Sequence, residues 1–215
     1  MMSHRNSGIM VFVLIGLLFL GISSVYAETA EEYYNKGNAS ANQGNLIQAI
    51  SEYTKSIEID PNNAEPYYTR GGAYRLQGNF SQAISDFTKA IEINPNLAEA
   101  YYNRGIAYYD QGNPSQAKDD YSKAIEINPE YADAYCNRGV VYTGQGDFTE
   151  AISDFNKALE INPGYSGAYY NRAVVYFGKK DFDRAWEDVH KAEGSGHTIN
   201  TEFLAALKQA SGRDK

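Results

Sequence analysis

Pro61, Pro95, Pro129 and Pro163 stand 34 residues apart along the chain, and no other feature constrains the fold as tightly. Three of them close the phrase Ile-Asn-Pro and the first closes Ile-Asp-Pro. The same step carries Tyr67 to Tyr101, Tyr135 and Tyr169, and Gly37 to Gly71, Gly105, Gly139 and then Ala173. It also carries Ala49 to Ala83, Ala117, Ala151 and Ala185, and Tyr53 to Phe87, Tyr121, Phe155 and then Val189. Self-similarity at this period means a stack of small units, each too short to bury its own apolar face and each completed by its neighbours.

Residues 64–97 define the unit. Ala64 to Gln77 reads as a first helix, with Tyr67, Gly71 and Tyr74 on one face. Gly78-Asn79 is a turn signal, because both residues tolerate positive φ. Phe80 to Ile93 reads as a second helix whose apolar stripe is Phe80, Ala83, Ile84, Phe87, Ala90 and Ile91. Asn94-Pro95 ends it, since proline disfavours helical geometry in the residue before it. Each unit is therefore an antiparallel helix pair. Gly71 and Ala83 are its expected points of close approach, and Phe87 is expected to fill the space between neighbouring hairpins.

The order aromatic, Gly, Tyr, then Ala, aromatic, Ala and Pro at this step resembles the tetratricopeptide repeat. The phrase Tyr101-Tyr102-Asn103-Arg104-Gly105, echoed as Tyr169-Tyr170-Asn171-Arg172-Ala173, strengthens the likeness. The resemblance implies an all-α, right-handed superhelical solenoid. Its five repeats would span residues 28–198, at about 30–63, 64–97, 98–131, 132–165 and 166–198. The ends depart as terminal repeats do: Ser40 replaces the tyrosine of Tyr74, Tyr108, Tyr142 and Tyr176, and His197 stands where the next proline is due. Ile199 to Ala210 resembles a closing helix, with Phe203, Leu204 and Leu207 on one side and a frayed tail, Ser211 to Lys215, behind it.

Charges repeat too. Arg70, Arg104, Arg138 and Arg172 are each followed 16 residues later by Asp86, Asp120, Asp154 and Asp188. In the first unit both partners change together, to Lys36 and Glu52. The expectation is a basic residue on each first helix paired with an acid on a second helix, within or between hairpins.

The first 27 residues have the layout of a secretory signal: Arg5 and His4 without an acid, an uncharged apolar run from Ile9 to Ile22, then Val25 and Ala27 in the small-residue positions. Cleavage is expected after Ala27. The run of 14 falls short of the roughly 20 residues that span a hydrocarbon core, with an uncleaved anchor as the alternative. Both readings place the remainder outside the cytoplasm, in the periplasm or beyond, and membrane contact is expected only if the signal is retained. The formal charge of −8 supplies no basic face for nucleic acid. One cysteine, Cys136, excludes an intramolecular disulfide.

By resemblance, the first helices line a concave groove whose strip runs Tyr34, Tyr68, Tyr102, Cys136 and Tyr170. One turn along it come Asn38, Gly72, Ile106, Val140 and Val174, and beside the tyrosines Asn35, Asn103, Asn137 and Asn171, with Thr69 breaking the series. Tyrosines offer flat apolar faces with a polar tip, and each asparagine offers a donor and an acceptor for an extended peptide backbone. Inherited repeat packing is the competing account of the same residues. The family's clamp for acidic chaperone tails is not matched: Tyr34, Thr69, Glu99 and Asn103 stand where it needs Lys, Asn, Lys and Arg, and only Asn38 fits. Glu31, Glu65, Glu99 and Asp133 along the edge would repel an acidic tail.

No catalytic constellation, cofactor or metal site is expected. The histidines are His4, His190 and His197, without a ligand partner at helical spacing, and the glycines form no phosphate loop. The function expected is a protein–protein scaffold holding a partner segment. A glycan or cell-wall binder using the tyrosine row, or a self-associating structural protein, are the alternatives.

Overall fold

The computed structural model describes residues 28–213 and is all-helical over them. The expected export signal, residues 1–27, and the last two residues lie outside the described part. Eleven helices follow in chain order among the described residues. The hairpins are α1 (Ala30–Asn42) with α2 (Leu46–Ile59), α3 (Ala64–Leu76) with α4 (Phe80–Ile93), and α5 (Ala98–Asp110) with α6 (Pro114–Ile127). They continue as α7 (Ala132–Gln145) with α8 (Phe148–Ile161) and α9 (Ser166–Gly178) with α10 (Phe182–Gly194), closed by α11 (Thr201–Ser211).

Each helix packs on the next, so the chain is a stack of five hairpins. The first helices of successive hairpins also touch, α3 with α5 and α7 with α9, and they approach one another more closely than the second helices do. A stack whose members are closer on one side must curve towards that side. The first helices therefore line the inner, concave face.

The repeated residues close the hairpins as their sizes require. A Cβ on Gly71 would lie 2.9 Å from Phe87 Cε1 and 3.3 Å from the Ala83 carbonyl. The aromatic ring thus lies over the glycine of its own hairpin, and it also meets the next one, since Phe87 shares a buried cluster with Ala107. In the last hairpin the ring shrinks to Val189 where the glycine grows to Ala173, and both are fully buried. The Ile-Asn-Pro phrase has a second use besides its proline. Asn94, Asn128 and Asn162 each accept from the backbone N–H two residues on, and Asp60 does the same, which turns the chain into the next hairpin.

The charge series forms four identical clamps. Each arginine donates through Nε and Nη2 to both oxygens of its aspartate within the hairpin, at 2.7–2.8 Å. Its Nη1 reaches back to the preceding second helix, to Thr54, Thr88, Ser122 or Asn156. Two tyrosines flank the guanidinium in three of the clamps, as Tyr101 and Tyr108 flank Arg104 at 5.5 and 6.0 Å, and Tyr67 alone flanks Arg70. That accounts for much of the tyrosine content. The first hairpin departs from the expectation: Lys36 pairs with Glu28, and Glu52 with Lys55 and Gln48. An ammonium lacks the planar fork that locks arginine onto one carboxylate, so a nearer acid takes it.

At the far end, α11 begins at Thr201, capped by Asn200, and Ile199 is buried ahead of it. Ser211 is not frayed. It is the last residue of α11, and the Trp186 indole N–H donates to its hydroxyl at 3.0 Å, satisfying a buried donor that a free tail would leave unpaired.

Candidate functional site: the concave groove

On each first helix, residues at the spacing of Tyr68, Gly72, Arg75 and Leu76 share the concave stripe. The structure joins neighbouring stripes through hydrogen bonds across repeats. Asn103 Nδ2 donates to the Tyr68 hydroxyl at 3.2 Å, Asn137 Nδ2 to the Tyr102 hydroxyl at 3.1 Å, and Asn171 Nδ2 meets Cys136 Sγ at 3.8 Å. Asn103 Nδ2 also donates to the Glu99 carbonyl, 2.9 Å away, an atom that only accepts. That contact settles which end of the amide is the nitrogen and turns Oδ1 away from these partners. Asn103 and Asn137 therefore set the tyrosines of the preceding repeat.

The remaining expected residues divide by place. Tyr34 packs on Tyr53 at a centroid distance of 5.9 Å, and Asn38 accepts from the Tyr53 hydroxyl at 2.8 Å, so both brace the first hairpin. Asn35 is exposed. Ile106, Asn137 and Val140 come together in a pocket of about 220 Å³ with Tyr109, Asp110 and Tyr121. Val174 is half-buried one repeat further. Tyr170 stacks on His197 at 4.8 Å and meets the edge of Phe203 at 5.6 Å, so the closing segment occupies that end of the strip.

Cys136 does not belong to the ligand surface. It is 3% exposed, beneath Tyr165 and Asn171. Burial pushes its thiol above the ordinary range, more than hydrogen bonding to Tyr165 and Asn171 pulls it back. Tyr165 stands just before α9, and Tyr131, at the same place before α7, packs at a tilt on Tyr102 with ring centroids 4.8 Å apart. Burial, and then the Asp133 carboxylate, push Tyr102 up to about 12. Burial likewise raises Tyr68, Tyr121, Tyr131 and Tyr165. All of these groups stay neutral at physiological pH, and none is poised for proton transfer.

Three groove residues escape a search for repeating positions because they do not repeat. Leu76 and Tyr109 are exposed apolar side chains, at 66% and 45%. Arg75 lines a second pocket with Asn38, Tyr53, Thr69 and Gly72. Their signal was helical spacing, since Arg75 lies seven residues after Tyr68 and Tyr109 seven after Tyr102. Among the described residues no group of acidic, histidine or cysteine side chains could hold a metal ion, and no helix is long and apolar enough to cross a membrane.

Comparison with known proteins agrees with this architecture. No curated protein matches the chain. In a solved structure of MamA protein, 33% identical, the match covers 79% of this chain and 93% of that one with a TM-score of 0.72. YrrB, described as a TPR protein with an unusual peptide-binding site, is 26% identical over 85% of this chain and 92% of its own, with a TM-score of 0.68. Pseudomonas aeruginosa PilF, 20% identical with a TM-score of 0.75 over 85% and 84% of the two chains, shares the fold. Family models of the TPR repeat match residues 37–78 and 71–112, and models of the tetratricopeptide repeat match 98–131, 132–165 and 155–187. With these matches spanning most of the chain, two of them (98–131 and 132–165) in the frame of the observed hairpins, the protein belongs to the tetratricopeptide repeat family, whose solenoid is a scaffold for protein interaction.

Proposed function

We propose that the chain is a non-catalytic scaffold that works outside the cytoplasm and holds an extended segment of a partner protein in the groove of the first helices. The observation that carries this is the amide ladder. Asn103 and Asn137 spend their nitrogens on the tyrosines of the preceding repeat, which holds each Oδ1 ready for a main-chain N–H of a bound segment. Acceptors fixed before binding lower the ordering cost of association. The pocket of Ile106, Tyr109 and Val140, which Asp110 and Asn137 also line, gives the segment's side chains a seat. The likeness to YrrB, named for a peptide-binding site, points the same way. The location rests on the signal-like N-terminus. A glycan platform needs open ring faces, whereas Tyr102 packs at a tilt against Tyr131 and Tyr170 stacks on His197.

The test is photo-crosslinking from Tyr109 and Val140 of the full chain in an extract of the source cell envelope. A discrete protein partner is expected, lost on Asn103→Ala with Asn137→Ala while the melting temperature stays within a few degrees. Crosslinks to other copies of the chain alone would replace the proposal with self-association. Saccharide recovered without protein would replace it with the glycan reading.

A further inference from the structure

Arg75 is the arginine of the first helices that the clamps leave out. Arg70, Arg104, Arg138 and Arg172 each hold an aspartate. Arg75, in the last turn of α3, holds no acid, and its Nε is buried without a hydrogen-bond partner, the one such side-chain atom among the described residues. The charge is unpaired among the described residues, and the half-buried side chain lines a pocket, so a partner from outside can meet the part of the guanidinium that faces it.

Its surroundings say what kind. At the same place in the other repeats stand Ala41, Tyr109, Thr143 and Phe177, so Arg75 is the lone cation of that row. It sits near the Tyr68 and Tyr102 hydroxyls of two successive first helices; burial raises both, and the Arg75 charge pulls both back. Gly72, where the neighbouring repeats carry Asn38 and Ile106, leaves open space one turn before it: a Cβ there would meet nothing within 4 Å. The resulting pocket, of about 470 Å³, joins Arg75 to Asn38, Thr69 and Leu76. Further along the groove Ile106, Tyr109 and Val140 line a pocket together with Tyr121, Asp110 and Asn137. The groove thus has a cationic place at Arg75 and, further along, three apolar side chains beside an amide and a carboxylate.

We infer that Arg75 anchors a single carboxylate of the bound segment, while apolar side chains of the same segment sit over Ile106, Tyr109 and Val140. This rests on the groove function proposed above. A planar carboxylate supplies the opposite charge and accepts from the guanidinium donors that face the pocket. The row Glu31, Glu65, Glu99 and Asp133 is exposed along the rim, so a run of acids is repelled and one carboxylate among apolar residues is not. An aspartate or glutamate side chain and a free C-terminus offer the same chemistry, and the test separates them.

The full chain is exposed to a synthetic octapeptide library, apolar at all positions but one, prepared in three forms. One carries a single Glu and an amidated end, one Gln and a free C-terminus, and one Gln and an amidated end. One carboxylate form is expected to bind about tenfold tighter than the all-amide form, and which one it is names the source. Arg75→Gln should erase that preference, read as the ratio of carboxylate-form to all-amide affinity within the same variant, and Arg75→Lys should keep part of it. Circular dichroism melting confirms that both variants fold. If the three forms bind wild type alike, or if the preference survives Arg75→Gln, the inference fails while the groove function stands. If no member of any form is retained, both fail together.

Discussion

Arg104 and Asp120 meet in two parallel hydrogen bonds across one hairpin, Nε to Oδ2 at 2.8 Å and Nη2 to Oδ1 at 2.7 Å. The same guanidinium donates to Thr88 of the preceding hairpin at 3.0 Å, so one side chain ties three helices. The side chains are 16% and 8% exposed, too buried for water to replace a lost partner. Arg104→Met or Asp120→Leu alone should cost about 3 kcal/mol, because each strands the other's charge. The two together should cost less than either, with a coupling of about 3 kcal/mol or more in a urea-unfolding double-mutant cycle. Additive losses would mean that the pair acts as two solvated charges.

The glycine under each ring predicts a compensating exchange. A Cβ on Gly139 would stand 2.8 Å from Phe155 Cε1, so Gly139→Ala should cost about 1–3 kcal/mol by overpacking. Phe155→Val alone should cost about 3 kcal/mol through the cavity left behind. The last hairpin already carries the paired solution, Ala173 with Val189. The double variant should therefore lose clearly less than the sum of the singles when unfolded in urea, and a simple sum would show that ring and glycine do not share one space.

What repeats was legible in the sequence, because each hairpin meets the same neighbours and keeps the same residue for the same reason. The bounds of α4, the Gly71–Ala83 approach and the four Arg–Asp pairs are of this kind. What occurs once was not. Cys136 shares its register with groove tyrosines, but whether it meets solvent depends on Tyr165, a residue from the next inter-hairpin turn. Lys36 could be placed on the right face but not assigned between Glu28 and Glu52, since a flexible ammonium takes whichever acid is nearer. The missing partner of Arg75 is a fact about atoms, and no period reports it.

Lys180 has φ 61°, in the turn position where the first four hairpins carry Gly44, Gly78, Gly112 and Gly146. A side chain in that left-handed region crowds the following carbonyl and costs about 1–2 kcal/mol. Lys180→Gly should stabilise the last hairpin by up to about 1 kcal/mol, after the added freedom of the unfolded chain is set against the relief. A lower melting temperature for this variant would show that the lysine makes a contact worth more than the strain.

Alkaline pH should dismantle the groove from its tyrosines. Burial lifts Tyr102 from the ordinary 10.0 to about 12 and raises Tyr68 as well. A tyrosine raised in the folded state binds its proton more tightly there than in the unfolded chain. Its contribution to stability is full below pH 10 and is lost as pH rises towards 12. Phenolate absorbance should show exposed tyrosines ionising reversibly near pH 10, then a steeper step near pH 12 that coincides with loss of helical circular dichroism. A single step with the helices intact would mean that the strip is open to water.

Cys136 offers the most local probe of the strip. Its thiol is covered, its ionisation is suppressed by burial, and Asn171 and Tyr165 lie over it. A disulfide exchange reagent needs both access and thiolate, so the native thiol should react at least about a hundredfold more slowly than in urea-unfolded chain. Tyr165→Ala removes the lid without touching the Arg138–Asp154 clamp beneath, and should speed the reaction about tenfold with the helix content unchanged. Asn171→Ala takes away one thiol contact and should change the rate far less. Equal acceleration by the two variants would locate the barrier in the opening of the whole fifth hairpin, and the lid assigned to Tyr165 would have to be given up.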